Sequence, residues 1–166
     1  MQIFRIVGLV IFVIVLVLFT VGYVFQPVVN VNLGDATNKE LIMANFNDFI
    51  SGNIGNIYNV LFYMCVATSL LLLVGIIIGF IGVIGITFIS KIIFLVVLVL
   101  MIIEFIIIQI TISGSDIISK LIDVYQNKNA NGVSGAPKIS NGTGYYLMVV
   151  ATVIMFVNVI FYGFLA

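Results

Sequence analysis

The chain has 166 residues, of which 63% are hydrophobic and 7% charged, and its six Lys+Arg balance six Asp+Glu. A soluble domain carries about a quarter charged residues, so a mean hydropathy of +1.37 places this chain in a membrane. Histidine and tryptophan are absent and Cys65 is the single cysteine, which excludes an intramolecular disulfide and leaves no ligand set for zinc, haem or an iron–sulfur cofactor. The neutral balance also lacks the basic footprint of a nucleic-acid binder.

Four apolar stretches reach the roughly 20 residues that a bilayer core requires: residues 4–25, 57–81, 87–112 and 144–165. They predict an all-α fold, a single domain over 1–166 with four transmembrane helices in an up-down bundle. The first stretch is too long for the apolar region of a cleaved signal peptide, and no small-residue cleavage site follows it. Gln26–Pro27 ends it, since proline cannot continue a helix and restricts the residue before it. The second and third stretches form one apolar block that must fold back. Its turn is expected at Gly82–Val83–Ile84–Gly85, with Ser90 and Lys91 just beyond.

Residues 26–56 and 113–143 are polar connections, and the two spans between them put both on one side of the membrane. Each carries an amphipathic pattern. Thr37 and Glu40 fit a capping box ahead of Leu41, Ile42, Phe46, Phe49 and Ile50, predicting a helix over 38–51. Ser115 caps a second pattern, Ile117, Ile118, Leu121, Ile122 and Tyr125, over 115–126. Both helices are expected to lie on the membrane surface or over the bundle. The two halves share an order of span, loop and span without residue-level similarity, so no internal duplication is indicated. Lys39, Lys120, Lys128 and Lys138 lie in the loops, against Arg5, Lys91 and the amino terminus on the other face. Counting alone favours cytoplasmic loops, but the charges flanking the first span often dominate in setting orientation, which gives cytoplasmic termini and external loops. In that orientation Asn141–Gly142–Thr143 is a usable glycosylation sequon.

Within the spans, Glu104 is the one acidic residue. An ionised group at mid-membrane costs on the order of 3 kcal/mol, so it is expected to face protein. Lys91 is too far along the same helix to pair with it, at roughly 20 Å for about 1.5 Å per residue. Val17, Thr20, Cys65, Thr68 and Thr152 share its depth, which favours a neutral carboxyl hydrogen-bonded to a hydroxyl. The alternatives are a cation supplied by a partner subunit and a proton or ion relay, for which the spans offer no series of titratable groups. Gly75, Gly79, Gly82 and Gly85 mark a packing face, and Gly75–Ile76–Ile77–Ile78–Gly79 is a GxxxG motif that lets helix backbones approach closely. Gln109 and Asn158 are expected to cross-link helices. Tyr58, Tyr63, Tyr145 and Tyr146 cluster at the loop-side ends, as in an interfacial aromatic belt. Asp116 and Asp123 make a poor calcium site on their own.

Ser113–Gly114–Ser115–Asp116 has no histidine or lysine base beside it, so no catalytic constellation is read. The chain reads as a non-enzymatic structural or accessory subunit of a larger integral-membrane assembly. Its partners would be the lipid bilayer and other membrane subunits or a second copy. The alternative is a free-standing adhesion or organising protein. Four spans with two same-side loops and a short turn between spans two and three resemble the claudin-type tetraspan layout over the whole chain, in topology alone. The Trp and disulfide pair of the claudin-type first loop have no counterpart here. A small transporter, disfavoured by the lack of polar lining along the spans, and a viral envelope protein complete the alternatives.

Overall fold

A computed structural model describes residues 2–32, 38–45, 53–82, 84–113 and 138–165. The elements run α1 (Gln2–Val24), β1 (Pro27–Asn32), β2 (Asn38–Ile42), a 3-10 turn (Met43–Asn45), α2 (Asn53–Ile81), α3 (Ile84–Ser113), β3 (Lys138–Asn141) and α4 (Thr143–Leu165). All four α-helices are long and apolar enough to cross a membrane, so this is a multi-pass protein with a helical bundle. α1 packs on α2 and α4, and α3 packs on the same two. The helices therefore form a ring in chain order, with α4 closing back onto α1.

The bundle core differs along its length. In the half that holds the α2–α3 turn, Phe12 of α1 and Phe94 of α3 stack across the diagonal with ring centroids 3.8 Å apart. Tyr162 of α4 meets both rings edge-on, at 5.5 and 5.3 Å. Such edge-to-face contacts add about 0.5–1.5 kcal/mol beyond burial alone. Glycines make room for this cluster. A Cβ on Gly8 would lie 2.8 Å from the Tyr162 ring, and one on Gly79 would lie 3.2 Å from its hydroxyl.

The turn is shorter than the sequence suggested. α2 ends at Ile81, Gly82 takes a left-handed φ of 76°, and α3 has begun by Ile84. Gly82 supplies a conformation that side chains rarely tolerate. Gly85 belongs to α3 rather than to the turn or to the second span, and Ser90 and Lys91 lie in α3 as the expected third span has them.

The loops depart further from expectation. The helix over 38–51 does not form where it is described: 38–42 is a strand and 43–45 a 3-10 turn, while 46–51 lies outside the described residues. The second expected helix, 115–126, also lies outside them. β1 is central in an antiparallel sheet of order β2-β1-β3, with Asn30 opposite both Glu40 and Ser140. Thus the two loops meet in one sheet at the same end of the bundle. Pairing decided the outcome. In β1 Val28, Val29 and Val31 are all buried, with the register shifting between Pro27 and Val29, and in β2 Leu41 is buried while Glu40 is exposed. The pattern predicts a helix only while β1 and the third strand, which comes from the far end of the chain, are left out of account.

The join between sheet and bundle is a backbone crossing of α1 and α4. A Cβ on Gly22 would stand 2.9 Å from the Gly144 carbonyl, and one on Gly144 would run into the Gly22, Gln26 and Pro27 carbonyls. Gly142 is equally enclosed by Pro27, and its amide donates to the Val28 carbonyl at 2.8 Å. By contrast, Gly163 on the same helix has nothing within 4 Å of its would-be Cβ. Gly144→Ala is therefore expected to cost roughly 1–3 kcal/mol or more, as overpacking does, and Gly163→Ala nothing measurable. Thermal unfolding of the two variants in the same detergent checks this.

Candidate functional site

The functional candidates are the polar side chains inside the bundle. A membrane interior offers no water to satisfy them, so each needs a partner within the protein. Every seam of the ring contains such a pairing. Between α1 and α2, the Tyr23 and Ser69 hydroxyls lie 3.0 Å apart, with Thr20 3.5 Å from the same serine. Between α2 and α3, Tyr58 meets Thr111 at 3.0 Å and Thr68 meets Glu104 at 2.6 Å. Between α3 and α4, the Tyr145 hydroxyl donates to Gln109 Oε1 at 2.8 Å. Between α4 and α1, Asn158 Nδ2 donates to the Gly8 carbonyl at 2.8 Å, joining residues 150 apart in sequence.

Glu104 is fully buried. Its Oε1 meets Thr68, the Cys65 thiol lies beside it, and its Oε2 has no hydrogen-bond partner. Thr152, which shares its depth, is not joined to it: that hydroxyl donates to the Met148 carbonyl of its own helix at 2.8 Å. The cations with described side chains lie at the turn end. Arg5 donates to the Gly82 carbonyl at 3.4 Å, and Lys91 donates to the Gly163 carbonyl at 3.3 Å. Both cations thus sit at helix C-terminal carbonyls, where positive charge is favourable.

The glycines of the second span separate in role. Gly75 faces α3, where a Cβ would lie 2.9 Å from Ile93 and Phe94. Gly79 faces Leu9 of α1 and Tyr162 of α4. The two motif glycines therefore serve different neighbours within the chain, rather than one crossing. Gly82 lies under the Arg5 guanidinium. Gly22, Gly142 and Gly144, which make the closest backbone approaches, were not singled out from sequence. Their signal was positional: each flanks a span terminus beside a proline or a strand.

The aromatic belt is half what the sequence suggested. Tyr63 and Tyr146 are exposed, but Tyr58 and Tyr145 are buried and engaged with Thr111 and Gln109. A hydroxyl partner on the adjacent helix draws each phenol inward. Asn141 closes β3 opposite Val29, two residues before α4, and its Oδ1 is buried without a partner.

No group of three or more His, Cys, Asp or Glu that could hold a metal occurs among the described residues. The grooves between helices are lined almost wholly by apolar side chains. The one between α1 and α4 has about 400 Å³ and includes Val7, Ile11, Val157 and Phe161, with Asn158 at its back. Another of about 300 Å³ runs between α3 and α4 past Phe105 and Thr152. Comparison of the chain with protein-family models, curated proteins and solved structures finds no match.

Two outcomes test this description. Asn158→Leu removes one interhelical hydrogen bond and is expected to lower stability by roughly 1 kcal/mol, measured by thermal unfolding in detergent. Asn141 is held in a paired strand at the edge of a span, so enzymatic deglycosylation of the chain made in a glycosylating cell is expected to leave its electrophoretic mobility unchanged.

Proposed function

We propose that this chain is a non-catalytic, self-contained four-span membrane protein that adheres or organises through the sheet its two loops share. The observation that carries this reading is the closure of every helix seam by a hydrogen bond inside the chain. The outward faces are apolar on all four helices, from Val10 and Val17 through Leu70 and Ile77, Leu95 and Val99, to Val153 and Ile160. Such a girdle matches lipid on every side and offers little polar adhesive to a partner helix. Of the two features that favoured an embedded subunit, Gly75, Gly79 and Gly82 of the glycine face pack against this chain's own residues, and the lone acid meets Thr68.

Contacts with other molecules then fall to the loop end, where Glu40 and Ser140 are exposed on the two outer strands, either side of Asn30 on β1. The loops hold more lysines than the opposite end, but Arg5 and the amino terminus lie beside the first span, whose flanking charges weigh most, and this supports cytoplasmic termini and external loops. Cysteines introduced at positions 40 and 140 are accordingly expected to react with an impermeant reagent from outside intact cells, and one at position 91 only after permeabilisation. The decisive experiment purifies the chain alone into nanodiscs and measures its mass and unfolding transition. A folded monomer or homo-oligomer is expected. A chain that unfolds unless unrelated membrane subunits are supplied would return the assignment to an accessory subunit.

A further inference from the structure

We propose that Glu104 is a proton-binding site: as a neutral carboxylic acid it latches α3 to α2, and release of its proton parts the two helices at this level. The Thr68 hydroxyl lies 2.6 Å from Glu104 Oε1 and 2.9 Å from the Met64 carbonyl of its own helix. One hydroxyl owns one proton and cannot donate fully to both. The other contact on this seam has the same form. Thr111 Oγ1 lies 2.8 and 2.9 Å from the Ile107 and Ile108 carbonyls, so its proton stays on its own helix and the Tyr58 phenol is the donor across the seam. Thr68 follows that pattern when it donates to Met64 and accepts from a protonated Glu104.

The surroundings lead to the same assignment. A buried carboxylate requires several donors or a cation to offset its lost hydration. Glu104 has the Thr68 hydroxyl and the weak Cys65 thiol beside it, and no hydrogen-bond partner at Oε2. From α2 it faces the Cys65 thiol, and from α1 the Tyr23 phenol, which is bonded to Ser69. The titratable groups of α4 are tyrosines: Tyr145 stacked on Phe105 and bonded to Gln109, Tyr146 exposed, and Tyr162 in the turn-end cluster. Arg5 and Lys91 lie at the turn end, on backbone carbonyls. Without its proton, Glu104 would leave a charge and the Met64 carbonyl competing for a single hydroxyl, and opening the α2–α3 seam to water relieves both.

Infrared difference spectra of the whole chain in nanodiscs test the protonation. At neutral pH the wild type is expected to show the carbonyl stretch of a protonated carboxylic acid, lost in E104Q and moved to higher frequency in T68V. If E104Q removes only carboxylate bands, the proposal is wrong. The latch is tested by unfolding temperature against pH. A folded state that holds a proton released on unfolding loses stability as pH rises. The wild type is expected to melt progressively lower as pH is raised from mildly acidic to alkaline, and E104Q to lack that component. The same pH dependence in both proteins would overturn the latch. Should E104Q fail to fold, a protonated-carboxyl band that moves in T68V still assigns that band to Glu104, and the absence of such a band, or one that does not move, would overturn the proposal.

Discussion

Lipid supplies no hydrogen bonds, and the interior of this bundle is organised by that lack. A polar side chain in a span must find its partner on a neighbouring helix or on its own backbone. Here the partners are distributed so that each seam receives at least one: a phenol with a serine, a carboxyl and a phenol with two threonines, a phenol with an amide, an amide with a glycine carbonyl. Each is worth only about 1 kcal/mol, but each also fixes which faces of two helices meet. In a bundle whose side chains are otherwise interchangeable hydrocarbons, that choice of rotation is the larger contribution.

The two ends of the bundle solve the packing problem differently. Toward the turn, three aromatic rings fill the axis, and glycines on α1 and α2 recede to admit Tyr162. Toward the loops, the core is laced by hydroxyl pairings, and closeness comes from the glycine crossing of α1 with α4 under the sheet. Each device needs the helices near one another for a different reason. Rings need contact area, whereas hydroxyl pairs need a defined distance. The combination sets both the spacing and the rotation of the four helices along their whole length.

What could be read from the residues follows from this physics. The spans were legible because a membrane helix must be apolar over its full length, and the four helices lie within a few residues of the expected ranges. The loop strands were not, because the pattern from Leu41 to Ile50 fits a helix as long as no partner is considered. What makes 38–42 a strand is β1 beside it, and β1 is completed by residues 138–141 from the far end of the chain. Tyr58 and Tyr145 illustrate the same limit at the level of single side chains. A tyrosine near a span end belongs to the interface unless a hydroxyl or amide on the next helix draws it inward, and sequence does not say which residues face it. Glu104 was legible as a residue that must avoid lipid, and Thr68 was among the hydroxyls at its depth. The choice of Thr68 over Thr152 depended on helix rotation.

The sheet has a consequence for how the chain comes into being. β1 emerges directly after the first helix, and β2 soon follows to cover one of its edges. The other edge waits for β3, which is synthesised only after the second and third helices and is followed at once by the fourth. Folding of the sheet and closure of the helical ring are therefore one event, timed by the last part of the chain to be made. Until then the first loop holds an open edge able to pair with any extended segment nearby. A cell making this protein must keep that edge unoccupied through the insertion of three spans.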